Sequence, residues 1–304
     1  MTEAQSLTLK DGRALSYATY GAPLAGAFAT VFYFHGTPGT HCEGEGVHAS
    51  ATEKALHIVA VSRPGYAGST FQPDRTILSF ADDVLALADH LKIQQFAVLG
   101  ISGGGPYVFA CMHAFPERVL CGAAVASIYP TELGTGGMKF GNRMLLAVAP
   151  RAPGLVSFTL DWALGGKLAR DDAHPEKFVE AFREIAKNLP PEDRAAMEVD
   201  GGKWFDVAVM GTREGLRNGG QAGASDMKLY GRPWGFELAS LKVKEGKLSL
   251  WHGAKDANVP VSMAQAAAKM IPGAVLNVSD QAHLSCSVMS LKDVVSWLAA
   301  TAEA

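Results

Sequence analysis

The sequence predicts an α/β protein: a mostly parallel sheet with helices on both faces, interrupted by an inserted helical block. Three observations carry this reading. Apolar runs of strand length alternate with helical patterns over 1–129 and 237–304, the arrangement that covers a parallel sheet on both sides. One strand-to-helix passage runs through Gly100-Ile101-Ser102-Gly103-Gly104, a sharp turn centred on a serine. From 130 to 236 the alternation stops, and only helical patterns and Gly/Pro breaks remain.

The elements follow in chain order. Residues 6–9 and 14–19 flank Asp11-Gly12 and read as a hairpin. Continuous apolar runs at 30–34, 57–61 and 96–99 are buried strands, with further strands expected at 122–126, 248–251 and 274–278. A helix is expected over 79–91, with Ser79 as its N-cap and Asp82 and Asp83 as early acids. Residues 106–112 form another, with Pro106 in the first turn, and 261–270 and 291–300 are the later ones. Within the inserted block the candidate helices are 155–168, 175–188, 191–197 and 204–216. The chain therefore divides into a core, 1–129 and 237–304, and a helical cap, 130–236. The cap is expected over the carboxyl edge of the sheet, where α/β proteins bind ligands.

Composition narrows the class. Of 304 residues, 48% are hydrophobic and 19% charged, enough apolar material for a sizeable core. A net charge of −3 without a Lys/Arg cluster argues against nucleic acid or an anionic membrane surface as partner. No apolar run approaches the roughly 20 residues that span a bilayer, and the first residues lack the basic and apolar pattern of a secretion signal. Cys42, Cys111, Cys121 and Cys286 lack C-x-x-C spacing and read as reduced thiols. The expectation is a cytoplasmic protein acting on a small molecule, with no cofactor and no metal. The sequence assigns no oligomeric state.

The serine turn is the chemical signal. A G-x-S-x-G between strand and helix exposes the hydroxyl on a strained turn and places the next backbone N–H at a helix N-terminus. The triple glycine after Ser102 could also cradle a phosphate, but neither G-K-[ST] nor G-x-G-x-x-G accompanies it. A reactive serine needs a base and an acid to orient that base. His283 follows the last apolar strand and Asp256 the one before it, and the order serine, acid, histidine is a sensible one. His252 is the rival base and Asp280 the rival acid. Cys286 reads as a packed thiol. The segment His41-Cys42-Glu43-Gly44-Glu45-Gly46-Val47-His48 places His, Glu, Glu and His within eight residues, but its glycines and the lack of H-E-x-x-H spacing make it a polar loop.

On these residues the chain resembles the α/β-hydrolase fold superfamily, in its serine-nucleophile branch with a helical cap. His35-Gly36-Thr37-Pro38-Gly39 resembles the family's H-G-x-P-G loop. Arg63-Pro64-Gly65-Tyr66-Ala67-Gly68-Ser69 resembles its R-P-G-x-G-x-S loop, with Ala67 for glycine. Asp256 with Val259-Pro260 resembles the acid loop, and Ala282-His283-Leu284 the histidine loop, with alanine for glycine. The resemblance covers both flanks and leaves the cap unassigned. It implies Ser102 as nucleophile, His283 as general base, Asp256 as its orienting acid, and the backbone N–H groups of Thr37 and Gly103 as the oxyanion hole. The implied activity is hydrolysis of a carboxylic ester or related acyl bond of a small to medium apolar substrate through an acyl-enzyme. A carbon–carbon hydrolase, lactonase, amidase or cofactor-free haloperoxidase would use the same groups. A receptor-like member that binds a ligand with little turnover would keep them too. Epoxide hydrolases and haloalkane dehalogenases are disfavoured, because their nucleophile at this turn resembles an aspartate.

Overall fold

The computed structural model describes residues 3–303. Among them, eight strands form one sheet: β1 (Gln5–Thr8), β2 (Ala14–Gly21), β3 (Ala29–Phe34), β4 (Leu56–Val61), β5 (Phe96–Ile101), β6 (Val119–Val125), β7 (Leu248–Gly253) and β8 (Ala274–Ser279). Their spatial order is β1-β2-β4-β3-β5-β6-β7-β8. β1 and β2 pair antiparallel, as does β2 with β4, and every pairing from β4 to β8 is parallel.

The two-residue period of a strand sorts the apolar side chains onto two faces. Phe32, Phe34, Val59, Val61, Phe96 and Val98 face one layer, where they meet α2 (Ile77–His90), α3 (Gly105–Ala114) and α11 (Val261–Met270). Val31, Tyr33, Ile58, Ala60, Ala97 and Leu99 face the other, against α1 (His48–Glu53) and α12 (His283–Glu303). The predicted fold class is the one observed.

Some element boundaries differ from the sequence reading. α2 is capped by Thr76 and not Ser79: the Ser79 N–H donates to Thr76 Oγ1, and the Thr76 N–H to Ser79 Oγ, each at 2.9 Å. Two good cappers three residues apart make a reciprocal box, so the outer one starts the helix. Asp83 then lies beyond the first turn and takes a bidentate ion pair from Arg13. α12 begins at His283, eight residues before the expected start, because a serine-rich stretch hid it. Ser287 and Ser290 satisfy their hydroxyls on the carbonyls of His283 and Cys286 and remain helical.

Between β6 and β7 the described residues form helices and no strand: α4 (Phe140–Val148), α5 (Pro153–Ala163), α6 (Gly166–Ala169), α7 (Pro175–Ala186), α8 (Pro191–Met197), α9 (Val199–Gly215) and α10 (Gln221–Tyr230). The single helix expected over 155–168 is broken at Gly165, whose φ is +72°. α9 is interrupted by left-handed Asp200, Gly201 and Gly202, so its regular part starts where the sequence pattern did. α4 and α10 were not anticipated.

Candidate active site

β5 is apolar and buried along its length and ends at Ile101. Ser102 follows with φ of +51° and opens a short 3-10 turn, Ser102–Gly104, that runs into α3. Holding a residue with a Cβ in that region costs roughly 1–2 kcal/mol, and the packing around the turn imposes it. A Cβ on Gly104 would collide with the Phe34 carbonyl of β3, and one on Gly100 with the backbone of Gly104. The glycines let strand and turn close up, and Ser102 projects into a pocket.

His283, the first residue of α12, faces that serine. Its Nε2 lies 3.0 Å from Ser102 Oγ, and its Nδ1 lies 2.7 Å from Asp256 Oδ2. The carboxylate fixes the tautomer: Nδ1–H donates to Asp256, which leaves the Nε2 lone pair for the serine proton. Asp256 is itself held, because its Oδ1 accepts the N–H groups of Asn258 (2.8 Å) and Val259 (2.9 Å). Burial opposes ionisation of Asp256, but His283, His252 and the Val259 N–H outweigh it and keep the carboxyl below its ordinary range. Burial likewise opposes the imidazolium of His283, and Asp256 outweighs it, so His283 sits above the ordinary histidine value.

The rivals take other partners. Asp280 is exposed and pairs with Lys255 at 3.0 Å. His252 is buried, pushed below its ordinary value by burial, and bonds through Nε2 to the Val259 carbonyl at 2.8 Å. Cys286 is buried with its thiol pushed up to about 11, chiefly by burial. The segment 41–48 does not converge on one point: His41 bonds Ser62, Glu43 bonds the Gly36 N–H, and His48 accepts from the Gly21 N–H.

Thr37 and Gly103 both line the pocket with Ser102 and His283. Gly103 sits in the first turn of its helix, where a backbone N–H has no intrahelical acceptor. Among the described residues the Thr37 N–H has no acceptor either. Its neighbours are fully engaged: the Gly36 N–H donates to Glu43 Oε2 at 2.9 Å, and the Gly36 carbonyl accepts from Arg63 Nη2 at 2.7 Å. The pocket encloses about 160 Å³, walled by Ile128, Met138, Leu146, Met227 and Val259, with Asn142, Asn258 and Tyr230 as polar groups. Larger clefts of about 500 Å³ beside Lys242 and about 360 Å³ beside Arg183 contain no hydroxyl or thiol nucleophile beside a base.

The family described as the α/β hydrolase fold matches residues 29–288, which spans the whole constellation. The chain belongs to the α/β-hydrolase fold family. It is similar to an α/β hydrolase fold protein from Nakamurella multipartita, at 24% identity and a TM-score of 0.64, over 98% of this chain and 99% of that one. It is also similar to the enol-lactonase from Burkholderia xenovorans, at 18% identity and a TM-score of 0.64, over 97% and 99%. The uncharacterized hydrolase YcgS of Bacillus subtilis is 28% identical over 109 residues, a match that spans 36% of each chain.

This α/β hydrolase carries three site neighbours that the sequence reading missed, and two come from the insertion. Asp226, on α10, is fully buried and receives Arg63, Arg75, Tyr66 and Thr37. Asp193, on α8, accepts both the N–H and the hydroxyl of Ser285, at 2.8 and 2.9 Å, in the first turn of the histidine helix. Glu43 lies under the Thr37 loop, with its carboxyl raised to about 7 by burial, against the opposing Gly36 N–H and Arg63. No sequence signal pointed to Asp226: the burial of Arg63 and Arg75, which makes each require an anion, exists only in the fold.

Proposed function

We propose that this chain is a serine hydrolase that cleaves a small, uncharged carboxylic ester through an acyl-enzyme. The observation that carries the reading is the aligned series Ser102 Oγ, His283 Nε2, His283 Nδ1 and Asp256 Oδ2, at 3.0 and 2.7 Å, opening onto an apolar pocket. Ser102 Oγ attacks the acyl carbon as its proton passes to His283 Nε2, and the carbonyl oxygen gains charge between the N–H groups of Thr37 and Gly103. His283 then returns the proton to the leaving alcohol, and the acyl group stays on Ser102. Water repeats the sequence through the same base and releases the acid. Every step uses groups of the chain and water.

The pocket supports a short acyl group. Its volume of about 160 Å³ is close to that of a cavity that holds benzene, on the order of 150 Å³, and its lining carries no fixed charge. In this reading the segment between β6 and β7 forms the cap, since Met138, Asn142, Leu146, Met227 and Tyr230 all line the pocket. A compact lactone, which keeps acyl and leaving groups in one ring, suits the same space, and the structural likeness to an enol-lactonase makes it the first alternative ester to test. Four free cysteines favour a reducing compartment such as the cytoplasm. No helix among the described residues is long and apolar enough to cross a membrane.

Replacing Ser102 by alanine tests the reading. Wild type is expected to hydrolyse p-nitrophenyl acetate or butyrate and to be labelled by a fluorophosphonate. Ser102→Ala should lose the label and about 10⁴-fold or more in turnover. Unchanged turnover in the variant would reject the assignment.

A further inference from the structure

The Thr37 loop is aimed from behind, and the insertion supplies the charge that aims it. The Gly36–Thr37 peptide is trans, so its C=O and N–H point in opposite directions. Arg63 Nη2 holds the Gly36 carbonyl at 2.7 Å, with His35 Nδ1 at the same distance. Fixing that carbonyl on the arginine side turns the Thr37 N–H toward the pocket, where Ser102 stands. Arg63 does not itself line the pocket. It acts on the oxyanion hole only through this peptide plane and through Thr37 Oγ1, to which Nη2 also donates at 2.9 Å.

Arg63 is fully buried, between the rings of Tyr66 and Tyr107 at 5.3 and 5.2 Å from their centroids. A guanidinium in such a place requires a paired anion. Asp226 Oδ2 meets Arg63 Nη2 at 2.8 Å and accepts from Thr37 Oγ1 at 2.9 Å and from the Tyr66 hydroxyl at 2.8 Å, while Oδ1 takes Arg75. Tyr230, one turn further along α10, donates to the Gly103 carbonyl at 2.6 Å and reaches Thr37 Oγ1 at 3.2 Å. One helix of the insertion therefore grips both segments that carry the oxyanion donors.

We propose that Asp226 is a positioning residue: it keeps Arg63 on the Gly36 carbonyl and thereby aims the Thr37 N–H at the charge that develops on the substrate. The proposal rests on the hydrolase reading above. It also makes α10 a fixed part of the site, because displacing it would strand two buried guanidinium groups.

The test compares Asp226→Asn and Arg63→Lys with wild type, normalised to the serine labelled at the end point by a fluorophosphonate. Arg63→Lys keeps the buried charges paired but loses the fork that spans the loop, and it decides the question if Asp226→Asn fails to fold. The expected result, per labelled serine, is a fall in kcat of roughly 10²–10³-fold, with KM within about threefold. Affinity for a trifluoromethyl ketone, which forms the charged adduct, falls in parallel, and affinity for the product alcohol is unchanged. If per-serine turnover and ketone affinity stay at wild-type values while only the labelled fraction drops, the role is structural and the proposal is overturned. A wild type that neither labels nor turns over an ester fails the hydrolase reading and removes the positioning role with it. A wild type that does both, with variants that match it, overturns the positioning role alone.

Discussion

In the proposed mechanism His283 is the residue whose protonation decides activity, because only a neutral imidazole accepts the Ser102 proton. Asp256, 2.7 Å away, stabilises the imidazolium more than burial disfavours it, so the ring stays protonated to a pH above the ordinary histidine value of 6.5. The sign follows directly: a raised pKa delays the active form, and the acid limb of kcat/KM should reach half-maximum above pH 6.5. Asp256→Asn removes the charge that raises it. That variant should move the limb downward while turnover drops about 10²–10⁴-fold. A pH–rate profile of both forms checks this, and a limb that stays in place in Asp256→Asn would show that the two groups do not act as a pair. His252, 3.4 Å from the same carboxylate, complicates the pair little, since burial holds it neutral.

Among the elements, α8 and α12 meet where the histidine is presented. Asp193 closes the first turn of α12 from outside, taking the Ser285 N–H and hydroxyl, while Ser285 Oγ accepts the Ala282 N–H at 2.9 Å. Asp193→Ala leaves two buried donors without a partner and should destabilise the protein by about 2 kcal/mol or more. Asp193→Asn keeps an acceptor in place and should retain most of that stability, with urea unfolding as the measure. Because Asp193 also favours the charged form of His283, the Asn variant should lower the acid limb slightly. This cap also explains what the sequence could and could not disclose. The juxtaposition of Ser102, Asp256 and His283 was legible because each follows an apolar strand at a point of local turn chemistry. Asp193 and Asp226 were not, because their role exists only once an insertion helix packs on a core loop distant in sequence. α10 itself was hidden by its small residues: Gly223 lies against Leu160 of α5, and Ala222 and Ala224 are buried. A helix packed that closely needs no apolar stripe of large side chains, so no 3.6-residue pattern advertises it.

Across the whole molecule, the insertion is tied to each loop of the site: Asp226 to the Thr37 loop, Asp193 to the histidine helix, and the Lys139 N–H to the Ala257 carbonyl of the acid loop at 2.8 Å. Stability and site geometry should therefore respond to pH together, with buried carboxyls acting in opposite directions. Burial of Asp226 favours its neutral form, but Arg63 and Arg75 overcome that and depress its pKa; Asp256 is depressed as well. Both contribute stability that is complete above the ordinary carboxyl value of 3.8 and is lost as pH falls through their lowered values. Glu43 runs the other way. Its pKa is raised from 4.5 to about 7, so the folded state holds a proton that the unfolded chain releases. Its contribution is complete below pH 4.5 and is lost as pH rises to about 7, a penalty of up to about 3 kcal/mol at higher pH. Glu43→Gln keeps an acceptor for the Gly36 N–H and removes the ionisation. The difference in unfolding free energy between Glu43→Gln and wild type should therefore grow from pH 4.5 to 7 in favour of the variant and level off above. His283, also raised, loses its contribution in a neighbouring range in both proteins and cancels from that difference. A difference that stays flat across this range would mean that Glu43 is ionised in the folded protein already at pH 5, with Arg63 and the Gly36 N–H outweighing its burial.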